Sequence, residues 1–131
     1  MGNPILKPQT KIEKNEGCCP VAATFTDGVF YDSKDGLYKM WYQAGWFDGT
    51  AYAESLDGQN WYRPDLDVVP GTNMVLPFRK GYKRDGATVW IDHETKDPKS
   101  RYKLFVFFRK NEVEERGELY ISSDGIHWNG P

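Results

Sequence analysis

Cysteine is scarce: 131 residues carry two, and these are adjacent, Cys18 and Cys19. Neighbouring cysteines close only a strained ring when oxidised, so a disulfide framework is excluded and two ordinary thiols are expected. The two histidines, His93 and His127, stand apart from each other and from the cysteines, and no metal-ligand spacing results. No run approaches the ~18–20 consecutive apolar residues of a membrane helix. A basic surplus is also missing. Seventeen Lys and Arg face 19 Asp and Glu for a net charge of −2, which argues against nucleic acid or a membrane surface as partner. Met1-Gly2-Asn3-Pro4 leads into no apolar h-region, so no signal peptide is expected in this chain, and localisation stays open, export of a longer parent included. A Gly-rich phosphate loop, a G-x-S-x-G elbow and a nucleotide fingerprint are all absent, so no cofactor is expected. No window sustains an apolar stripe at helical spacing.

What the chain has is aromatic side chains and turns. Phe, Trp and Tyr make up 15% of it, with five Trp and eight Tyr, beside 13 Gly; that composition points to an all-β fold. Six Asp-Gly dipeptides punctuate it, at Asp27, Asp35, Asp48, Asp57, Asp85 and Asp124. Asp-Gly suits tight hairpin turns, where positive φ is needed. Between them, strands are expected near 21–25, 29–32, 37–43, 50–55, 61–63, 75–77, 87–92, 102–109, 118–122 and 127–128. Residues 65–83, which follow Pro64 and contain Pro70, Gly71, Pro77 and Gly81, read as a long irregular connection. The run Arg109 to Arg116 reads as a solvated hairpin loop. Leu104-Phe105-Val106-Phe107-Phe108 is apolar throughout, which predicts a sheet covered on both faces.

The chain also repeats itself. Ser55-Leu56-Asp57-Gly58-Gln59-Asn60-Trp61 recurs as Ser122-Ser123-Asp124-Gly125-Ile126-His127-Trp128, 67 residues on. Tyr38-Lys39-Met40-Trp41 matches Tyr102-Lys103-Leu104-Phe105 at an offset of 64, and Asp27-Gly28 matches Asp85-Gly86 at 58. Ordered matches at drifting offsets indicate two copies of one unit. Each copy holds about four strands in a meander, the pattern of a β-propeller blade. The expected organisation is a lead-in and first blade over 1–63, a connection over 64–83, and a second, truncated blade over 84–131. Two blades cannot close a ring of about four to eight. Further blades of the same propeller, or self-association, are therefore expected to cover an apolar blade face.

Gly28-Val29-Phe30-Tyr31-Asp32, Leu37-Tyr38-Lys39-Met40-Trp41-Tyr42-Gln43 and Ala51-Tyr52-Ala53-Glu54-Ser55-x-Asp57-Gly58-x-x-Trp61 resemble the five-bladed propeller glycoside hydrolases of families 32 and 43. The lead-in Asn3-Pro4-Ile5-Leu6 is similar as well, and the resemblance covers the first two of five blades. It implies an enzyme, or the N-terminal part of one, that hydrolyses glycosidic bonds of oligo- or polysaccharides with acids on innermost strands. Arg84-Asp85 looks like the family's Arg-Asp pair, in which the Asp binds sugar hydroxyls; Gly86 stands where the family has Pro. The family 32 pattern Asn-Asp-Pro-Asn-Gly falls on Thr24-Phe25-Thr26-Asp27-Gly28, so Phe25 occupies the nucleophile position. Asp27, two residues on, shares its strand face and is the surrogate. The proton-donating Glu of the family belongs to a later blade, so this chain alone is expected to turn over no glycoside.

The competing readings are plainer. Asp27 and Asp85 both precede Gly, and turn chemistry explains them as well; Asp57 and Asp124 are read as turn residues only, and Asp32 and Asp92 as strand-end caps. Trp41, Trp61, Trp90 and Trp128 are read as blade core. Trp46 and Phe47 lie in the loop 44–49, where large aromatics exposed to water suggest stacking on a sugar face. The Ser-Asp-Gly-Trp motifs are one residue shorter than the sialidase Asp-box. The candidate site is thus Asp27 and Asp85 as acids, with Arg84, Trp46 and Phe47 binding carbohydrate. The alternative is a propeller that binds sugar or assembles with itself without catalysis.

Overall fold

The computed structural model describes residues 2–111 and 113–131. Among them, eight strands form two antiparallel sheets. The first sheet contains β1 (Ala22–Ala23), β2 (Val29–Asp32), β3 (Leu37–Ala44), β4 (Gly49–Ser55) and β5 (Met74–Leu76). β1 and β2 both pair with β3, Ala22 opposite Ala44 and Val29 opposite Met40, so they are one strand with an interruption. The outer edge is split likewise: β5 pairs with the start of β4, and Tyr62 bridges to Glu54 near its end. The second sheet runs β6 (Lys83–Ile91), β7 (Tyr102–Lys110), β8 (Glu114–Ser122), and Asn129 bridges to Ile121. Among the described residues, helix is confined to one turn, α1 (Lys11–Lys14), and short 3-10 turns. The fold is all-β and antiparallel, as the aromatic, Gly-rich composition implies.

Three local expectations are corrected. Asp27-Gly28 and Asp85-Gly86 form no hairpins; they occupy the interruption between β1 and β2 and the register shift in β6 between Arg84 and Ala87. The backbone there pairs across the sheets instead. Val89 N–H donates to Asp27 O at 2.7 Å, Thr26 Oγ1 to Ala87 O at 2.7 Å and Thr88 Oγ1 to Thr26 O at 2.6 Å. Groups that a bulge frees from one ladder are thereby satisfied by the neighbouring one. The charged run from Arg109 is mostly strand, because opposite charges face each other across it: Arg109 with Glu115 and Lys110 with Glu114, each at 3.6 Å. Glu112, part of that run, lies outside the described residues. Finally, the second sheet buries Leu104, Val106 and Phe108 on one face only, and Trp90 lies with Phe105 on the other, exposed.

The core sits between the sheets, where Trp41, Tyr52 and Val75 of the first meet Val89, Ile91, Leu104, Val106 and Tyr120 of the second. The other face of the first sheet, with Met40, Tyr42, Ala51 and Ala53, is covered by Leu6, Ile12, Trp61 and Val69. Glu13 fastens that covering segment. Its buried carboxylate accepts from Tyr42 Oη at 2.6 Å, Gln9 N at 2.7 Å and Arg63 Nε at 2.8 Å. Burial opposes the charge, yet Arg63 and these hydrogen bonds outweigh it and hold the carboxyl below its ordinary range. The two Ser-Asp-Gly turns are superposable in their bonding. Ser55 Oγ and Ser122 Oγ each accept from the glycine N–H at 2.9 Å, and Asp57 and Asp124 each receive two backbone N–H groups.

One further cluster joins the sheets. Asp32, at the end of β2, is buried and accepts from Lys39 Nζ at 2.9 Å, from both Arg101 terminal nitrogens at 2.9 and 2.8 Å, and from the Tyr102 hydroxyl. Arg101, against the effect of burial and with Tyr102 and Lys39 beside it, holds the Asp32 carboxyl far below the ordinary carboxylate range. Asp32→Asn takes the counter-charge from Arg101 and leaves Lys39 with Asp35 alone, and a loss of about 3–5 kcal/mol is expected in urea unfolding. A carboxyl depressed in the folded state contributes stability above its unfolded pKa of about 3.9, and loses it as pH falls below. Wild-type stability should therefore drop below about pH 4, with a smaller drop in Asp32→Asn; equal acid sensitivity in both would contradict the assignment.

Candidate functional site

The loop between β3 and β4 starts at Gly45, where the backbone has φ 79° and a Cβ would lie 2.9 Å from Ile12 O. Only glycine fits there. The loop then turns Trp46 outward, 53% exposed, with the Phe47 ring edge-on to it at 4.6 Å and 74°. Phe47 O accepts from Arg84 N–H at 3.2 Å, so the loop of the first sheet is pinned to the start of β6.

Arg84 points inward from that position. Its side chain is buried between the sheets, where Nε donates to Thr50 Oγ1 at 3.2 Å and one terminal nitrogen to Gln43 Oε1 at 3.2 Å and Asp85 O at 3.1 Å. The other terminal nitrogen is ion-paired with Asp27. Burial pulls the guanidinium down to about 10, opposed by the Asp85 charge, and it stays protonated at neutral pH. Asp27 is wholly buried; its second oxygen accepts from Phe25 N at 3.2 Å. Phe25 itself, at the position where the family 32 pattern has its acid, is exposed.

Asp85 faces the other way. It is partly open to water and bound by Arg109 at 2.7 Å, and Arg109 also lies 3.6 Å from Glu115. Phe47, Lys83, Arg109 and Glu115 line a hollow of about 270 Å³. A neighbouring hollow of about 450 Å³ shares Lys83 and Arg109 and adds Phe78 and Tyr82. Another of about 450 Å³, lined by Leu37, Leu56 and Tyr62, belongs to the opposite end of β4, beside the turn at Asp57.

The five predicted site residues thus divide into two groups. Arg84 brings Asp27 and the Phe47 backbone together inside the molecule. Asp85, Trp46 and Phe47 are the ones a solute can reach. Lys83 and Arg109, which oppose each other in the ladder, were not singled out by the sequence, since Lys83 sat in a segment read as an irregular connection and Arg109 at the junction of an expected strand and a charged loop. Knowing that β6 begins at Lys83 would have put Arg109 beside Asp85. An acceptor, a donor and an aromatic pair at one rim suit a ligand rich in hydroxyls with an apolar face. No protein-family model matches the chain, and a search of curated proteins finds no match either.

The buried pair makes a quantitative expectation. Arg84→Met strands the Asp27 carboxylate and should lower unfolding stability by about 3–5 kcal/mol. Asp27→Asn in the same chain should restore part of that loss, since the amide carries no charge to bury. Strictly additive losses in a urea double-mutant cycle would show that the two side chains are not coupled.

Proposed function

We propose that the two sheets are consecutive blades of a β-propeller of the family 32 or family 43 glycoside hydrolase kind, and that the rim carrying Trp46, Phe47, Asp85 and Arg109 binds carbohydrate. The observation that carries this reading is the side-by-side contact of the two first strands, with Val89 N–H on Asp27 O at 2.7 Å and Thr88 Oγ1 on Thr26 O at 2.6 Å. In a propeller the first strands crowd round a common axis, so side chains at their ends converge on one opening. Asp85 accepts hydrogen bonds from sugar hydroxyls, Arg109 donates, and Trp46 with Phe47 stacks on the ring. Arg84 and Asp27 are positioning residues: held away from solvent, they fix the strand that carries Asp85.

A second reading, a propeller that binds sugar without cleaving it, is favoured by one specific observation. Glycoside hydrolysis uses two carboxyl groups flanking the scissile bond, whereas here Asp27 is buried on Arg84 and Asp85 is bound to Arg109. Binding is common to both readings and is what the experiment addresses first.

Fructo-, arabino- and xylo-oligosaccharides titrated into the chain and followed by calorimetry should include at least one ligand. Asp85→Asn and Trp46→Ala should each weaken it by roughly 10–100-fold, the worth of a charge-assisted hydrogen bond or an aromatic contact, with unfolding midpoints unchanged. Turnover of aryl glycosides by the chain alone is not expected. Should no oligosaccharide bind at millimolar concentration, the carbohydrate reading fails; should the chain hydrolyse one, the missing donor acid has been misassigned.

A further inference from the structure

The exposed face of the second sheet repeats, position by position, the face that the first sheet buries against it. In the first sheet Phe30 stands opposite Lys39, and Trp41 opposite Tyr52. In the second, Trp90 stands opposite Lys103, and Phe105 opposite Leu119. The strand-end ion pair recurs too: Lys39 on Asp32 at 2.9 Å, Lys103 on Asp92 at 2.6 Å. Trp41 and Tyr52 are 0% and 2% exposed, whereas Trp90, Phe105 and Leu119 are 60%, 49% and 53% exposed. Three adjacent large apolar side chains open to water mark a contact surface.

What covers the first face shows what the second one fits. Arg101 and Tyr102, where β7 begins, dock on Asp32, and the Trp41 indole N–H donates to Gly125 O at 2.8 Å. We infer that the open face of the second sheet receives a third unit of the same repeat, whose second strand opens with arginine and tyrosine, the arginine binding Asp92. The inference rests on the propeller reading of the sheets, not on the carbohydrate.

A second copy of this chain does not supply that unit. At the repeat positions of Arg101-Tyr102 the first sheet carries Leu37-Tyr38, so a copy presents no arginine to Asp92. The matching face of its first sheet, with Met40 and Tyr42, is already covered by Leu6 and Ile12.

The test extends the full chain. Pro131 occupies the repeat position of Pro64, so residues 65–131 are appended directly after it. Hydroxyl-radical footprinting read by mass spectrometry then reports each side chain. In the 131-residue chain, Trp90, Phe105 and Leu119 should oxidise as exposed residues; in the extended, monomeric chain their oxidation should fall about fivefold or more. Arg101→Leu made only in the appended segment, or Asp92→Asn in the original one, should reverse most of that protection. If the three stay reactive in the extended chain, whether the appended segment folds or not, the inference is overturned. Concentration-dependent protection of the unextended chain overturns it in favour of a second copy. Protection that neither charge variant alters overturns the arginine recognition, while repeat stacking stands. None of these outcomes depends on sugar binding, which the calorimetry tests alone.

Discussion

A carboxylate removed from water must meet its counter-charge, and Asp32 meets half of its own in the other sheet. Arg101 reaches it bidentately across the interface while Lys39 binds it from within its own sheet. The geometry of a planar guanidinium on a carboxylate tolerates little sliding, so this contact fixes where β7 lies against β2. Asp27 and Arg84 impose the same condition elsewhere along the first strands. Between these two anchors the apolar side chains have one way to interdigitate. Trp41, for instance, finds Tyr102 at 5.8 Å on one side and Gly125 O for its N–H on the other.

The third buried acid extends the same logic outward. Glu13 gathers the segment before β1, β3 through Tyr42, and the stretch after β4 through Arg63. Each covered face of the first sheet is therefore fixed by a buried carboxylate that joins the sheet to the layer covering it. The open face of the second sheet has the equivalent acid, Asp92, whose partners are Lys103 of its own sheet and the Glu94 N–H just after β6. That difference between Asp32 and Asp92 is the physical content of the repeat: the same ligand set, filled from a neighbouring layer in one case and half-filled in the other.

Much of the fold was legible because strands carry a local signature. The aromatic runs gave β2, β3, β4 and β7 close to their observed bounds, and the repeated Ser-Asp-Gly motif predicted two turns, whose bonding the structure shows to be shared. What was not legible depends on pairing. Lys83-Arg84-Asp85-Gly86 has no apolar alternation, and becomes strand because Arg109 and Phe108 lie opposite it and Phe47 accepts from its backbone. Glu114 to Gly117 becomes strand because it faces the charges of β7. The candidate site suffers from the same limit. Adjacent residues on a strand point to opposite faces, and the bulge at Arg84-Asp85 preserves that split, so a motif read as one unit resolves into an interior arginine and a solvent-facing acid.

Buried ion pairs contribute little net stability compared with well-packed apolar groups of the same size, since desolvation offsets most of their attraction. The aromatic core between the sheets accounts for cohesion without them. Their contribution is positional. A sheet face rich in Trp, Phe and Tyr can pack in several registers of similar apolar area, and a one-residue slip would exchange the two faces of a strand. Such a slip would leave Asp32 and Asp27 buried without Arg101 and Arg84, at a cost that no alternative apolar contact offsets. The acids along the first strands therefore select one register among several that the aromatics alone would accept. Side chains carried on those strands, Asp85 among them, inherit their position from that selection.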